Sequence, residues 1–162
     1  MGARQRPAHR NRTRWRTSAG PSNSWAQQFG AASSIMSGVT YDTGALIAAD
    51  RNDRKMWALH AGFLAEEATV TVPSVVVAEA WRGGSRQANL ARLLALCQVE
   101  ELSFRQARDV GVLAGKAGHD DIVDVAVVEG AIRRHDAVIT SNPTHIASIA
   151  DSTRTRLRVE TI

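Results

Sequence analysis

Residues 38–47 read GVTYDTGALI, a short β-type run that ends at Asp42 and passes directly into a helical run. The same change recurs along the chain, since short β-type runs alternate with longer runs of helical periodicity. Such alternation is typical of a parallel sheet covered by helices on both faces. We therefore predict an α/β fold, a three-layer α/β/α sandwich with a central, mostly parallel sheet of about four to five strands.

The predicted strands cover residues 38–42, 69–72, 99–103, 137–140 and 157–161. The predicted helices cover residues 43–50, 54–67, 74–82, 85–97, 104–116, 121–134 and 143–150. Pro73 can begin the third helix, and Gly83 and Gly84 can end it, because glycine is favoured just past a helix C-terminus.

The positive charge lies at the start of the chain. The formal net charge is +4, but residues 1–35 hold six arginines and no acid, so they contribute +6 and leave residues 36–162 at −2. We predict a disordered basic extension over residues 1–35 and a folded domain over residues 36–162. The extension could bind nucleic acid through its arginines and tryptophans. It could also lack a function, since Met36 directly precedes the first strand.

Composition excludes several classes of protein. The single cysteine, Cys97, cannot form an internal disulfide or a cysteine-rich zinc cluster. No run of about 18 apolar residues predicts a membrane span, and the basic N-terminus lacks the apolar core of a secretory signal. We expect a soluble cytoplasmic protein.

Acidic residues fall where a parallel sheet would gather them. Asp42 closes the first strand, and ligands bind at the carboxyl ends of such strands; a helix N-cap is an equally good role for it. Glu79 lies in the apolar helix VVVAEAW, where a carboxylate needs a partner, either a metal ion or Arg82. Asp121 and Asp124 share one face of a later helix, near its start. Asp121 can cap that helix, whereas Asp124 has no Lys or Arg three or four residues away.

Carboxylates that lie close together repel one another unless a cation lies between them. Oxygen ligands without cysteine suit a hard divalent ion, Mg²⁺ or Mn²⁺. An ion of this kind can activate water for attack on a phosphodiester, so the acids indicate metal-dependent phosphodiester hydrolysis.

The chain resembles the PIN-domain ribonucleases, and within them the VapC-type toxins of type II toxin-antitoxin systems. The resemblance covers about 120 residues. It rests on the strand that ends in Asp42, on the Pro-led helix with Glu79, and on Asp124, which precedes the Thr140-Ser141-Asn142 turn by sixteen residues.

This resemblance implies that Asp42, Glu79 and Asp124 bind Mg²⁺ or Mn²⁺ and activate water, and that Asp121 is an accessory acid. Asn142 is a further candidate metal ligand, through its carbonyl oxygen. Acids are common in the family at the positions of Asn142 and His145, so a weaker second metal site is expected; His145 could carry protons or act as an outer ligand.

The resemblance also assigns polar and basic residues and partners. Thr140 and Ser141 would orient carboxylates or phosphate, although turn chemistry explains them equally well. Arg82 and Arg86 follow Glu79 and could therefore meet RNA phosphates, although solvated surface charge is the more common explanation for such residues. The implied partners are an RNA substrate, a cognate antitoxin protein and a second copy of the chain. The homodimer would form through helices 54–67 and 85–97, with higher assembly in complex with the antitoxin.

Other functions are considered beside this one. A catalytically impaired PIN-like module could bind RNA or protein, as the changes at Asn142 and His145 allow. A haloacid-dehalogenase-like phosphatase also places an Asp after strand one, but it needs a second Asp at the position of Gly44. The sequence contains no G-x-S-x-G elbow and no P-loop after a strand.

Overall fold

The computed structural model describes residues 38–162, which form a five-stranded sheet and seven α-helices. The strands are β1 (Gly38–Tyr41), β2 (Thr69–Pro73), β3 (Gln98–Glu100), β4 (Ala137–Thr140) and β5 (Val159–Thr161). The helices are α1 (Thr43–Asp50), α2 (Arg54–Ala65), α3 (Ser74–Ala80), α4 (Ala88–Leu94), α5 (Phe104–Ala117), α6 (Ile122–Arg134) and α7 (Pro143–Asp151). All neighbouring strands are parallel.

The strand order is β3-β2-β1-β4-β5, so the chain first builds outward from β1 and then crosses to its other side. Crossovers between parallel strands are right-handed, and a reversal of direction therefore moves the connecting helices to the opposite face. Accordingly α1 packs against α3 and α4, whereas α6 packs against α5 and α7. The predicted three-layer α/β/α architecture is confirmed.

Burial follows the position of each strand in the sheet. Every residue of the central strands β1 and β4 is buried, as expected for parallel strands covered on both faces. The outer strands β3 and β5 are only three residues long and contain no buried residue. Short outer strands limit the unpaired backbone that a sheet edge exposes.

The third strand differs most from its prediction. It covers Gln98–Glu100 instead of residues 99–103. The amide of Leu102 donates to the Ser74 hydroxyl, and Ser103 forms a capping box with Gln106 at the start of α5. These local bonds replace the sheet pairing that the sequence pattern predicted beyond Glu100.

Two helical segments are shorter than predicted. Helix α3 ends at Ala80 instead of residue 82, and the segment predicted as one helix over residues 85–97 is a 3₁₀ turn, Ser85–Gln87, followed by α4. The Gln87 side chain accepts from the amides of Arg82 and Gly83, and it donates to the Ala80 carbonyl. These bonds bridge the gap between the two helices.

Gly44 allows α1 to approach the turn after β4. A Cβ atom at this position would lie 2.8 Å from the Ser141 Cβ and 3.1 Å from the Ser141 amide nitrogen, and it would overlap the Ser141 hydroxyl. We expect Gly44→Ala to lower the free energy of unfolding by about 1–3 kcal/mol, since a well-packed site must shift to admit the methyl group. Urea denaturation measures this change.

Gly111 provides the matched control because it lies within α5 and nothing lies within 4 Å of an added Cβ. Gly111→Ala should stabilise the protein by roughly 0.5–1 kcal/mol, the helix-propensity difference. A gain in stability for Gly44→Ala as well would contradict the proposed overlap.

The predicted disordered extension, residues 1–35, lies outside the described residues. Within residues 38–162, no helix has the length and apolar character that crossing a bilayer requires.

Candidate active site

Three strand ends meet at one edge of the sheet because β1 lies between β2 and β4 and all three are parallel. Asp42 directly follows β1, and helix α3, which carries Glu79, directly follows β2. Helix α6, with Asp124 in its first turn, contacts α3. The direction of chain winding reverses between β1 and β4, and open α/β sheets bind ligands at such a point.

Asp42 has the helix-cap role that the sequence left open, while a role as metal ligand stays a prediction. Its Oδ1 atom caps α1 by accepting from the Ala45 amide at 2.8 Å, and its Oδ2 atom accepts from the Thr140 hydroxyl. The residue is only 5% exposed. Burial raises the pKa of Asp42, and the charge of Asp124 raises it further, whereas the hydrogen bonds from Thr140 and Ala45 lower it. The hydrogen bonds that Asp42 accepts therefore do not fully offset the cost of burying its negative charge.

Glu79 does not have the surroundings that the sequence predicted. It is exposed, and Val76 is the buried residue of its helix, so the expectation of a buried helix around it was wrong. The apolar run is misleading because α3 is only seven residues long and covers the sheet with one side. Glu79 accepts a hydrogen bond from the Thr43 hydroxyl instead of pairing with Arg82. Thr43 thereby joins Glu79 to the residue next to Asp42.

Asp124 is half-buried, and its side chain is 21% exposed. Burial raises the pKa of Asp124 first of all, and the nearby charges of Asp121 and Glu79 raise it further, against the lowering effect of His119 and His145. Asp121 caps α6 by accepting from the amides of Val123 and Asp124 at 3.0 and 3.2 Å. These capping bonds engage one of its carboxylate oxygens, Oδ1.

The acids suit a hard cation in their chemistry. Among residues 38–162, no Lys or Arg forms a salt bridge with Asp42, Glu79 or Asp124. Among residues 38–162, the group of potential ligands whose atoms lie within 4.8 Å of one another contains Asp124 but neither Asp42 nor Glu79. Mg²⁺ usually keeps several waters and binds through one or two carboxylates, so it does not require direct contact with all three acids.

The turn after β4 is joined to Asp42 through Thr140, which is fully buried. The Thr140 hydroxyl donates to Asp42 and accepts from the Asn142 amide at 2.8 Å. Asn142 precedes α7, and its side chain makes no capping bond to that helix. Ser141 and Asn142 are exposed, and Ser141 lies against Gly44.

The candidate RNA-binding arginines are both exposed. Arg82 lies just past α3, and its guanidinium donates to the carbonyls of Trp81 and Ala78 at 3.0 and 3.4 Å. Arg86 lies in the 3₁₀ turn that follows. Both positive charges are therefore accessible to an anion, on the segment that leads away from Glu79.

Sequence reasoning missed His119. Its ligand atom, together with those of Asp124 and His145, makes up the group that lies within 4.8 Å. His119 precedes α6 and His145 lies in the first turn of α7, so 26 positions separate them along the chain. The sequence shows only that His119 precedes an acidic stretch and that His145 follows the turn after β4. Neither position predicts contact between the two side chains.

The sequence matches no family model and no curated protein. The fold matches solved structures, among them VapBC2 from Rickettsia felis bound to a fragment of promoter DNA and DNA-bound VapBC from Salmonella typhimurium. The first has 18% identity and a TM-score of 0.60, over 76% of this chain and 98% of the matched one. The second has 17% identity and a TM-score of 0.59, over 78% and 98%.

At these identities the likeness concerns the fold alone. The chain therefore has the fold of these matched chains, and the predicted PIN-like fold is confirmed.

Proposed function

We propose that this protein is a Mg²⁺- or Mn²⁺-dependent endoribonuclease that acts as the toxin of a toxin-antitoxin pair. One observation carries the proposal: buried Asp42 and half-buried Asp124 lie near one another where the sheet reverses its winding direction, with no Lys or Arg of residues 38–162 paired to either. Burial raises the pKa of each carboxylate, and a neighbouring carboxylate raises it further. A divalent cation relieves this repulsion.

The roles of the acids follow from their contacts. Asp42 is held at both oxygens, by the Ala45 amide and the Thr140 hydroxyl, so its lone pairs have a set direction. Glu79 is oriented by Thr43, and Asp124 is supplied by the first turn of α6. These residues would hold the metal ion, with Asn142 as a further ligand. When bound, the ion provides an activated water for hydrolysis of a phosphodiester.

The neighbouring polar residues would handle the substrate. Thr140 positions Asp42, and Ser141 is exposed next to it, where it can donate to a phosphate oxygen. Arg82 and Arg86 would contact backbone phosphates, which positions RNA without reading its sequence. Asp121, whose Oδ1 caps α6, adds negative charge beside Asp124 as an accessory acid.

The toxin role rests on the resemblance to VapC-type toxins and on the fold shared with VapBC structures. We propose a cognate antitoxin as a protein partner, a homodimer formed through helices such as α2 and α4, and action in the cytoplasm. A short neighbouring reading frame that encodes a DNA-binding protein would support this role.

Two other functions fit the structure less well. A phosphatase of the haloacid-dehalogenase type needs an Asp at position 44, where even a Cβ atom would overlap Ser141. An inactive binding module would have no need for Asp42 and Asp124, whose burial raises the pKa of both carboxylates.

Metal removal tests the activity. The full chain, incubated with a mixed RNA substrate, should produce internal cleavage fragments with Mg²⁺ or Mn²⁺ and lose cleavage on addition of EDTA. Restoring an excess of the metal should restore the fragments. Cleavage that survives EDTA, or intact RNA under all metal conditions, would exclude the proposed mechanism.

A further inference from the structure

Two histidines lie close to Asp124. The ring centroids of His119 and His145 are 5.7 Å apart, with an interplanar angle of 73°. The His145 Nδ1 atom lies 3.8 Å from the Asp124 Oδ2 atom. The ligand atoms of all three residues lie within 4.8 Å of one another, although the residues come from three separate parts of the chain.

These distances are too long for hydrogen bonds. They are close to the spacing of ligands around one metal ion, because bonds of about 2.0–2.2 Å put neighbouring ligand atoms roughly 3–4 Å apart. The His145 side chain is 58% exposed, so it can rotate to close the remaining distance. Little reorganisation of the fold is required.

His119 makes one competing contact. Its Nδ1 atom lies 3.3 Å from the amide nitrogen of Asp121, as the acceptor of a long hydrogen bond. Metal binding through either ring nitrogen gives up this bond, since a neutral imidazole has one lone pair to offer. The contact is exposed, so water can replace it.

The donor chemistry of this group differs from that of the acids. Imidazole nitrogen suits zinc, copper, iron and nickel, whereas Mg²⁺ prefers oxygen ligands and keeps its water. We propose that His119, Asp124 and His145 bind a divalent transition-metal ion through two imidazoles and one carboxylate. The site shares Asp124 with the proposed nuclease centre, but the binding itself does not depend on RNA cleavage.

Charge supports a cation at this position. The carboxylates of Asp121 and Glu79 lie near Asp124, so negative charge is concentrated around it. His119 and His145 are the neighbours that can share a cation with this carboxylate. A metal ion held between them supplies positive charge while the imidazoles stay neutral, which is the state in which they can be ligands.

Calorimetric titration of the metal-free full chain with Zn²⁺ tests the proposal. Mg²⁺ is left out because it would compete for Asp124, which the two proposed sites share. We expect one saturable Zn²⁺ site per chain, weakened at least about tenfold in both His119→Ala and His145→Ala. His145→Asp should also weaken Zn²⁺ binding, because it replaces nitrogen by a harder oxygen ligand.

His135→Asn is the matched control. His135 is an exposed histidine that ends α6 with a positive φ of 61°, a conformation that Asn tolerates. Zn²⁺ affinity should not change in this variant. Equal affinity in the wild type and the two alanine variants would overturn the proposal, and so would a lack of saturable Zn²⁺ binding.

Discussion

Asp42→Asn is expected to lower metal-dependent RNA cleavage at least about 100-fold, because it removes a charged ligand from the centre of the proposed site. The fold should survive. The asparagine carbonyl oxygen can still accept from the Ala45 amide, and the Thr140 hydroxyl can accept from the new amide group. Cleavage rates with Mg²⁺ and with Mn²⁺, together with a thermal unfolding curve, measure the two effects separately.

Asp53→Asn is the matched control for this substitution. Asp53 caps α2 in the same way, by accepting from the Met56 amide at 2.8 Å, but it is exposed. Its replacement should leave cleavage unchanged. If the Asp42 variant cleaves RNA as fast as the wild type, Asp42 is only a helix cap and the proposed metal site is refuted.

Arg134→Met should lower the free energy of unfolding by about 3–5 kcal/mol, the cost of leaving a buried charge without its partner. The Arg134 guanidinium donates to Asp136 at 2.8 Å and to the Thr40 hydroxyl at 2.9 Å, and it also pairs with Glu100. The Asp136 side chain is only 4% exposed. Methionine retains an apolar stem but no charge, so chemical denaturation reports the loss of these bonds.

Arg133→Met is the matched control, because it removes an arginine that forms more exposed ion pairs. Arg133 pairs with Glu100 and Glu129, but its side chain is 38% exposed, and screening by water limits its contribution to about 1 kcal/mol or less. Equal destabilisation by the two substitutions would contradict a special role for Arg134.

The pH dependence of stability gives a second check on the network. Burial alone would raise the pKa of Glu100, but the hydrogen bonds and charges of Arg133 and Arg134 lower it below its ordinary 4.5. As pH falls, Glu100 therefore takes up its proton at a higher pH in the unfolded chain than in the folded protein. The stability that the ionised Glu100 contributes is lost progressively below pH 4.5. The stability difference between the wild type and Arg134→Met should shrink over the same range.

Much of the candidate site could be predicted because its residues are tied to strand and helix ends. Asp42 follows a strand, Asp124 lies in the first turn of a helix and Thr140 ends another strand, and parallel topology brings such ends to one edge. The surroundings of Glu79 could not be predicted. Its hydrogen bond comes from Thr43, 36 positions away, and its exposure depends on which side of a short helix meets the sheet.

By itself the sequence determined the order and type of the elements, since the periodicity of apolar residues and the capping residues are local signals. The parallel α/β/α arrangement followed from that order. Only the tertiary structure brought His119 to His145 and Arg134 to Thr40, which are 94 positions apart. These contacts depend on how helices from different parts of the chain pack on the sheet, and packing distances are not encoded in the spacing of residues along the chain.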